Sequence, residues 1–154
     1  MAVRPIPDGY HAVTPYLIVD GAARALDFYK AVFGATEQMR MAGPGGRVAH
    51  AEMRIGDSVV MLADEVPDMG YRGPKGYGGS AVSLMLYVDD VDATFRRALA
   101  AGAIERRAVQ DQFYGDRSGT LEDPFGHTWT VSTHVEDLTP DEMIQRAERA
   151  MKQG

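Results

Sequence analysis

Val13–Ala35 reads VTPYLIVDGAARALDFYKAVFGA, and about seventy residues later Ala81–Ala103 reads AVSLMLYVDDVDATFRRALAAGA. Each is a short β-rich run, an acidic turn, an amphipathic helix and a glycine stop. In the first copy, strand alternation puts Pro15, Leu17 and Val19 on one side and Thr14, Tyr16 and Ile18 on the other. The wholly apolar side is expected to meet the helix. That helix, about Ala22 to Phe33, sets Ala25, Phe28, Tyr29, Val32 and Phe33 at helical spacing, and Gly34 stands where a left-handed C-terminal residue is wanted. Two copies of one supersecondary unit in a 154-residue chain predict a duplicated architecture.

Outward from each copy, further strands complete a module. Glu37–Met41 reads as a strand, GPGG at 43–46 as a turn, and Val48–Ile55 and Ser58–Ala63 as two strands across a Gly56–Asp57 hairpin. The second copy follows the same order. Ser83–Val88 is a strand, Asp92–Ala101 a helix and 104–110 a strand, and Ser118–Glu122 with His127–Ser132 forms a hairpin across Asp123 to Gly126. The expected fold class is α+β: two βαβββ modules forming a curved, cleft-like mixed sheet of eight strands, plus a C-terminal helix. Module one spans about 10–64, a linker 65–80, module two about 81–135 and the helix about 139–152, read as one domain.

The stretch 64–80, DEVPDMGYRGPKGYGGS, has five glycines, two prolines and no periodicity. Its Tyr71, Arg72, Lys75 and Tyr77 either fold over a cavity or sit on a solvated connection. Thr139-Pro140-Asp141-Glu142 is a helix-capping sequence. Met143, Ala147 and Met151 then make a stripe expected to dock on the sheet or on a partner chain.

A net charge of −6 and a pI near 5.1, with no basic cluster beyond Arg96–Arg97 and Arg106–Arg107, argue against nucleic acid. The absence of cysteine excludes disulfides and thiolate chemistry. The opening MAVRPIPDGYHAV lacks the apolar core of a signal peptide, and no apolar run approaches the roughly 18 residues of a spanning helix. A cytoplasmic protein without membrane partners is expected.

Val19-Asp20-Gly21, Arg24 to Tyr29 and Phe33-Gly34 together resemble the opening of the vicinal oxygen chelate superfamily. That group includes glyoxalase I, fosfomycin- and bleomycin-resistance proteins and extradiol dioxygenases. Val88 to Asp92 resembles the start of its second module, and Asp123 to His127 its final hairpin. The resemblance implies a homodimer and, in the enzymes, one divalent metal held by His, Glu or Gln from the first and last strand of each module. Those positions fall here at Thr14, Met61, Ser83 and Thr130; Ser83 follows Thr14, and Thr130 follows Met61, by the same 69 positions. None is an ordinary ligand of a divalent catalytic ion, so no metal and no other cofactor is expected.

Parity with those four positions brings Tyr16, Met85, Tyr87 and Thr128 to the cleft face. The Gly56–Asp57 hairpin sets Glu52 opposite Met61 and His50 opposite Ala63, so His50 and Glu52 point the same way. They are candidates for an acid/base pair, for a relocated metal site, or for a polar pair on the sheet rim. Arg117 either holds an anionic group or pairs with Asp116 or Glu122. His127 is expected to fix its turn; His11 and His134 are read as lying outside the strands, without a role. The leading expectation is a protein that binds a small organic molecule without chemistry, as bleomycin-resistance proteins do. The alternative is a lyase, isomerase or dioxygenase working through a displaced metal or through His50 and Glu52.

Overall fold

The apolar side of each first strand decides how its sheet is covered. The computed structural model describes residues 2–154; Met1, at the head of the lead-in, lies outside the described residues. In the first module β1 (Tyr16–Val19) leads into α1 (Ala22–Phe33), followed by β2 (Thr36–Ala42), β3 (Val48–Ile55) and β4 (Ser58–Asp64). The second has β5 (Ser83–Tyr87), α2 (Val91–Ala100), β6 (Ile104–Asp111), β7 (Asp116–Glu122) and β8 (Thr128–His134), and α3 (Pro140–Lys152) closes the chain. The strands form two four-stranded sheets, ordered β1-β4-β3-β2 and β5-β8-β7-β6. In each, the first strand runs parallel to the last and the other pairs are antiparallel. Both modules are therefore βαβββ, and the fold is α+β.

The chain divides into two compact units, Met1–Ser80 with Pro124–Gly126, and Ala81–Asp123 with His127–Gly154. In the first, Leu17 and Val19 are buried with Ala25, Leu26, Tyr29 and Val32 of α1 and with Met53, Val60 and Leu62 of the sheet. The hairpin tip Pro124–Gly126, expected to stay with the second module, groups here because Phe125 sets its ring edge-on to Phe28, 6.3 Å away. In the second unit Trp129, Val131 and Leu121 are buried beneath Val91, Phe95 and Ala98 of α2. The Leu84 and Leu86 side chains of β5 are only half-buried.

The sheet also secures the start of each helix. Gly21 precedes α1 with φ 101° and offers no side chain to cap it. Asp64, from β4, accepts instead from the backbone N–H groups of Gly21, Ala22 and Val48, each at 2.8 Å. In the second module Thr133, 69 positions on, accepts from Val91 N–H at 2.9 Å and donates to Val88 O at 2.9 Å. Asp90 adds a side-chain cap to Ala93 N–H.

Several boundaries differ from expectation. β1 starts at Tyr16, not Val13; Thr14 lies before it, bonded to the His11 carbonyl at 3.3 Å. Pro15 accepts from Met61 N–H at 2.9 Å but, with no N–H of its own, donates nothing to the ladder. β8 runs on to His134, which therefore lies in a strand. α3 has its Thr139–Glu142 capping box, but no residue of it is buried. An Arg146–Glu136 ion pair at 2.6 Å tethers it, and the expected docking of its apolar stripe on the sheet does not occur.

Candidate functional site

The first module's sheet has one face under α1 and one open. Strand register lays two rows across the open face. Tyr16 lies beside Met61, Met61 beside Glu52 and Glu52 beside Met39. In the next row Ile18 lies beside Ala63 and His50 beside Met41. The hairpin thus sets Glu52 and His50 as the pattern predicted, on one face.

These side chains form a connected chain of hydrogen bonds. Tyr10, from the lead-in, donates its phenol to Glu52 Oε2 at 2.6 Å. Glu52 Oε1 stands 3.4 Å from His50 Nε2, and His50 Nδ1 is 2.7 Å from Tyr16 Oη. Glu52 and His50 are largely shielded, with side chains 14% and 21% exposed. The bond to Glu52, then burial, raises the proton affinity of Tyr10. Burial, then the fields of Tyr71 and Glu52, does the same for Tyr16. Both phenols stay protonated in neutral solution.

Tyr16 also lines a cavity of about 640 Å³ with Ile18, Ala63, Val66, Met69 and Tyr71. The walls are apolar and aromatic apart from the Asp64 carboxylate, with Met69 from the 64–80 segment, as suits an organic ligand. That segment is ordered by a Val66–Tyr71 bridge and by Gly73 N–H donating to Glu65 at 2.7 Å. Of its four polar or aromatic candidates only Tyr71 lines this cavity; Tyr77 bonds the Gly70 carbonyl at 3.3 Å. A neighbouring cavity of about 550 Å³ is lined by Arg47 and four carboxylates, those of Asp20, Asp64, Glu65 and Asp68.

The second module's open face differs. Ser83 lies beside Thr128, Met85 beside Thr130 and Tyr87 beside Ser132. Thr120 and Thr130 share a hydrogen bond at 3.0 Å, Ser132 Oγ meets Met85 Sδ at 3.3 Å, and Tyr87 donates to buried Asp116 at 2.8 Å. Asp116 also bonds His134 Nδ1 at 2.8 Å, and His134 Nε2 meets Asp137 at 2.8 Å. These two carboxylates, Asp116 first, raise the proton affinity of His134. Sequence reasoning passed over this cluster because it ended β8 two residues early.

Arg117 stands on the other side of β7. It forks onto Asp92 of α2 at 2.8 and 3.0 Å and reaches Asp111 at 3.2 Å. The expected partners Asp116 and Glu122 lie on the opposite parity, and the guanidinium instead ties strand to helix through three of its N–H donors. Glu122 is paired with Arg106. His127 donates its backbone N–H to Asp123 Oδ1 at 3.0 Å across the turn.

A divalent catalytic ion takes three or more nitrogen or oxygen donors from the protein. Among the described residues no three His, Cys, Asp or Glu side chains gather in that way. His50 and Glu52 supply two donors, each already bonded to a tyrosine; Met61 and Thr130 lie beside Tyr16 and Met85, not beside Thr14, which precedes β1, or Ser83, which lies beside Thr128. The residues present do not fit such an ion.

These features define a duplicated βαβββ protein whose two open faces are chemically unlike. The chain belongs to the Glyoxalase/Bleomycin resistance protein/Dioxygenase superfamily, whose family model matches residues 10–131. It is 46% identical to an uncharacterized protein of Mycobacterium bovis over 93% of this chain and 95% of that one. Among solved structures it is similar to TioX of Micromonospora sp. ML1, at 27% identity and TM-score 0.62, over 84% of this chain and all (100%) of the other. The fosfomycin resistance protein FosX of Listeria monocytogenes shares the fold, with TM-score 0.61 at 15% identity over 86% of this chain and 97% of its own. Among the described residues no helix is long and apolar enough to cross a membrane.

Proposed function

We propose that this protein binds a small organic molecule on the open face of its first module, without a divalent metal. The observation that carries this reading is Tyr16, which lines the 640 Å³ cavity and is bonded to His50 at 2.7 Å. Largely apolar walls with a few placed polar groups, here Tyr16 and Asp64, are what an organic ligand needs. Assembly as a homodimer belongs to the same proposal and rests on the family. Metal analysis and native mass spectrometry of the purified chain test it. An organic adduct without stoichiometric metal supports the reading. About one tightly held divalent ion per chain, lost in His50→Ala or Glu52→Ala, would sink it.

A second reading is favoured by the His50–Glu52 contact at 3.4 Å. A carboxylate behind an imidazole supports acid/base catalysis, here of a lyase or isomerase type. Turnover of a bound compound by the native chain and not by Glu52→Gln separates the two readings.

A further inference from the structure

His50 does not line the 640 Å³ cavity; Tyr16 does. The imidazole therefore acts on a bound molecule only through the phenol attached to its Nδ1. The direction of that bond is set at the far side of the ring. Glu52 Oε2 is occupied by the Tyr10 phenol, and an ionised carboxylate only accepts, so the hydrogen between Glu52 Oε1 and His50 sits on Nε2. A neutral ring with its hydrogen on Nε2 has a lone pair at Nδ1, and Tyr16 donates into it. A phenol that donates inward still accepts outward. Asp64 lines the cavity and no Lys or Arg among the described residues does, so a molecule that arrives as an anion is disfavoured and one that arrives uncharged is accepted.

We propose that this cavity takes a flat, neutral molecule bearing an acidic O–H or N–H, such as a phenol, an enol or an imide, and that Tyr16 receives that hydrogen; the inference rests on the first-module site proposed above. The ligand's O–H or N–H bond breaks and its proton bonds to Tyr16 Oη. Tyr16's own proton passes to His50 Nδ1. The electron pair stays on the ligand, which then accepts a hydrogen bond from the re-formed Tyr16 O–H. The imidazolium is held by Glu52, and net charge is unchanged. Tyr10 is a positioning residue that fixes Glu52 and, through it, the tautomer.

The test uses the full chain with para-nitrophenol and its methyl ether, para-nitroanisole, in absorbance titrations across pH. The phenol should bind about tenfold more tightly than the ether, the worth of one good hydrogen bond. The bound phenol should also ionise at lower pH than the free one. Tyr16→Phe should reduce phenol affinity to that of the ether and abolish the ionisation shift, while retained ether binding reports an intact fold. His50→Gln should abolish the shift, and Tyr10→Phe should weaken it without changing ether affinity. Equal affinity for phenol and ether, or a preference that survives Tyr16→Phe, overturns this inference and leaves the binding site standing. Binding of neither probe overturns both.

Discussion

On the first module's open face Tyr10, Glu52, His50 and Tyr16 are linked end to end beside methionines and an apolar cavity. At matching places on the second, Met85 replaces Tyr16, Ser118 stands for His50 and Thr120 for Glu52. There a ladder of hydroxyls bonds within itself, and the titratable group is His134, clasped by two carboxylates at the strand's end. The helix-covered faces, by contrast, are alike: both bury aliphatic and aromatic side chains under a single helix. Folding constrains the covered side, because only apolar packing there offsets the entropy of ordering the chain. The open side is left to differ, and function is argued from that difference.

The largest contrast should come from the two helix anchors. Asp64→Ala strands three backbone N–H groups and should cost about 3 kcal/mol, whereas Thr133→Ala, which loses one such acceptor, should cost about 1 kcal/mol. Urea unfolding measures both; equal losses would show that the anchors do equal work.

Next is ligand affinity. His50→Ala should weaken binding of a phenolic probe about tenfold, and Ser118→Ala by less than about twofold. Isothermal titration decides, and the reverse order would move the site to the second module.

The modules should also differ in pH response. Burial pushes the Asp64 carboxyl up, but three backbone N–H donors and Arg47 outweigh it and hold it below the usual range. Its contribution is present above the unfolded value of about 3.9 and is lost as pH falls through the lowered folded value. His134 is held above its ordinary value by Asp116, then Asp137. Its contribution is complete below about pH 6.5 and is lost as pH rises through the raised folded value. Melting temperatures of wild type and Asp64→Asn should converge on the acid side, and those of wild type and His134→Gln on the alkaline side. A His134→Gln difference that grows as pH rises would contradict this assignment.

The smallest effect is expected at Arg117→Lys, which gives up the two-pronged bond to exposed Asp92. Melting temperature should fall slightly, with probe binding unchanged; a change in binding would return Arg117 to the site.

Much of this was legible in sequence because it follows from alternation and repetition. The offset of 69 reappears in the strand pairs, Tyr16 with Met61 and Met85 with Thr130. The Gly56–Asp57 turn fixed Glu52 opposite Met61, since a hairpin's register follows from its turn. Tyr10 was not legible: it lies in a Pro- and Gly-containing lead-in without period, and only tertiary structure carries its phenol to Glu52. Asp64 read as the start of a linker, yet it is a buried carboxylate whose partners are backbone groups, which leave no mark in a sequence. Arg117 could have been sorted by parity, because Ser118 and Thr120 claim the open face of the same strand. β8 passes Ser132 to reach His134 because Asp116 and Arg117 pair with it and with Thr133.

The claim that the first module's open face is the binding surface is tested most directly by amide and methyl chemical-shift mapping of the full chain with para-nitrophenol. The account predicts shifts gathered at Tyr16, Ile18, Ala63, Met69 and Tyr71, with the Thr120–Thr130 ladder unmoved. Shifts centred on Thr120, Thr130 and Ser132, or none at either face, would contradict it.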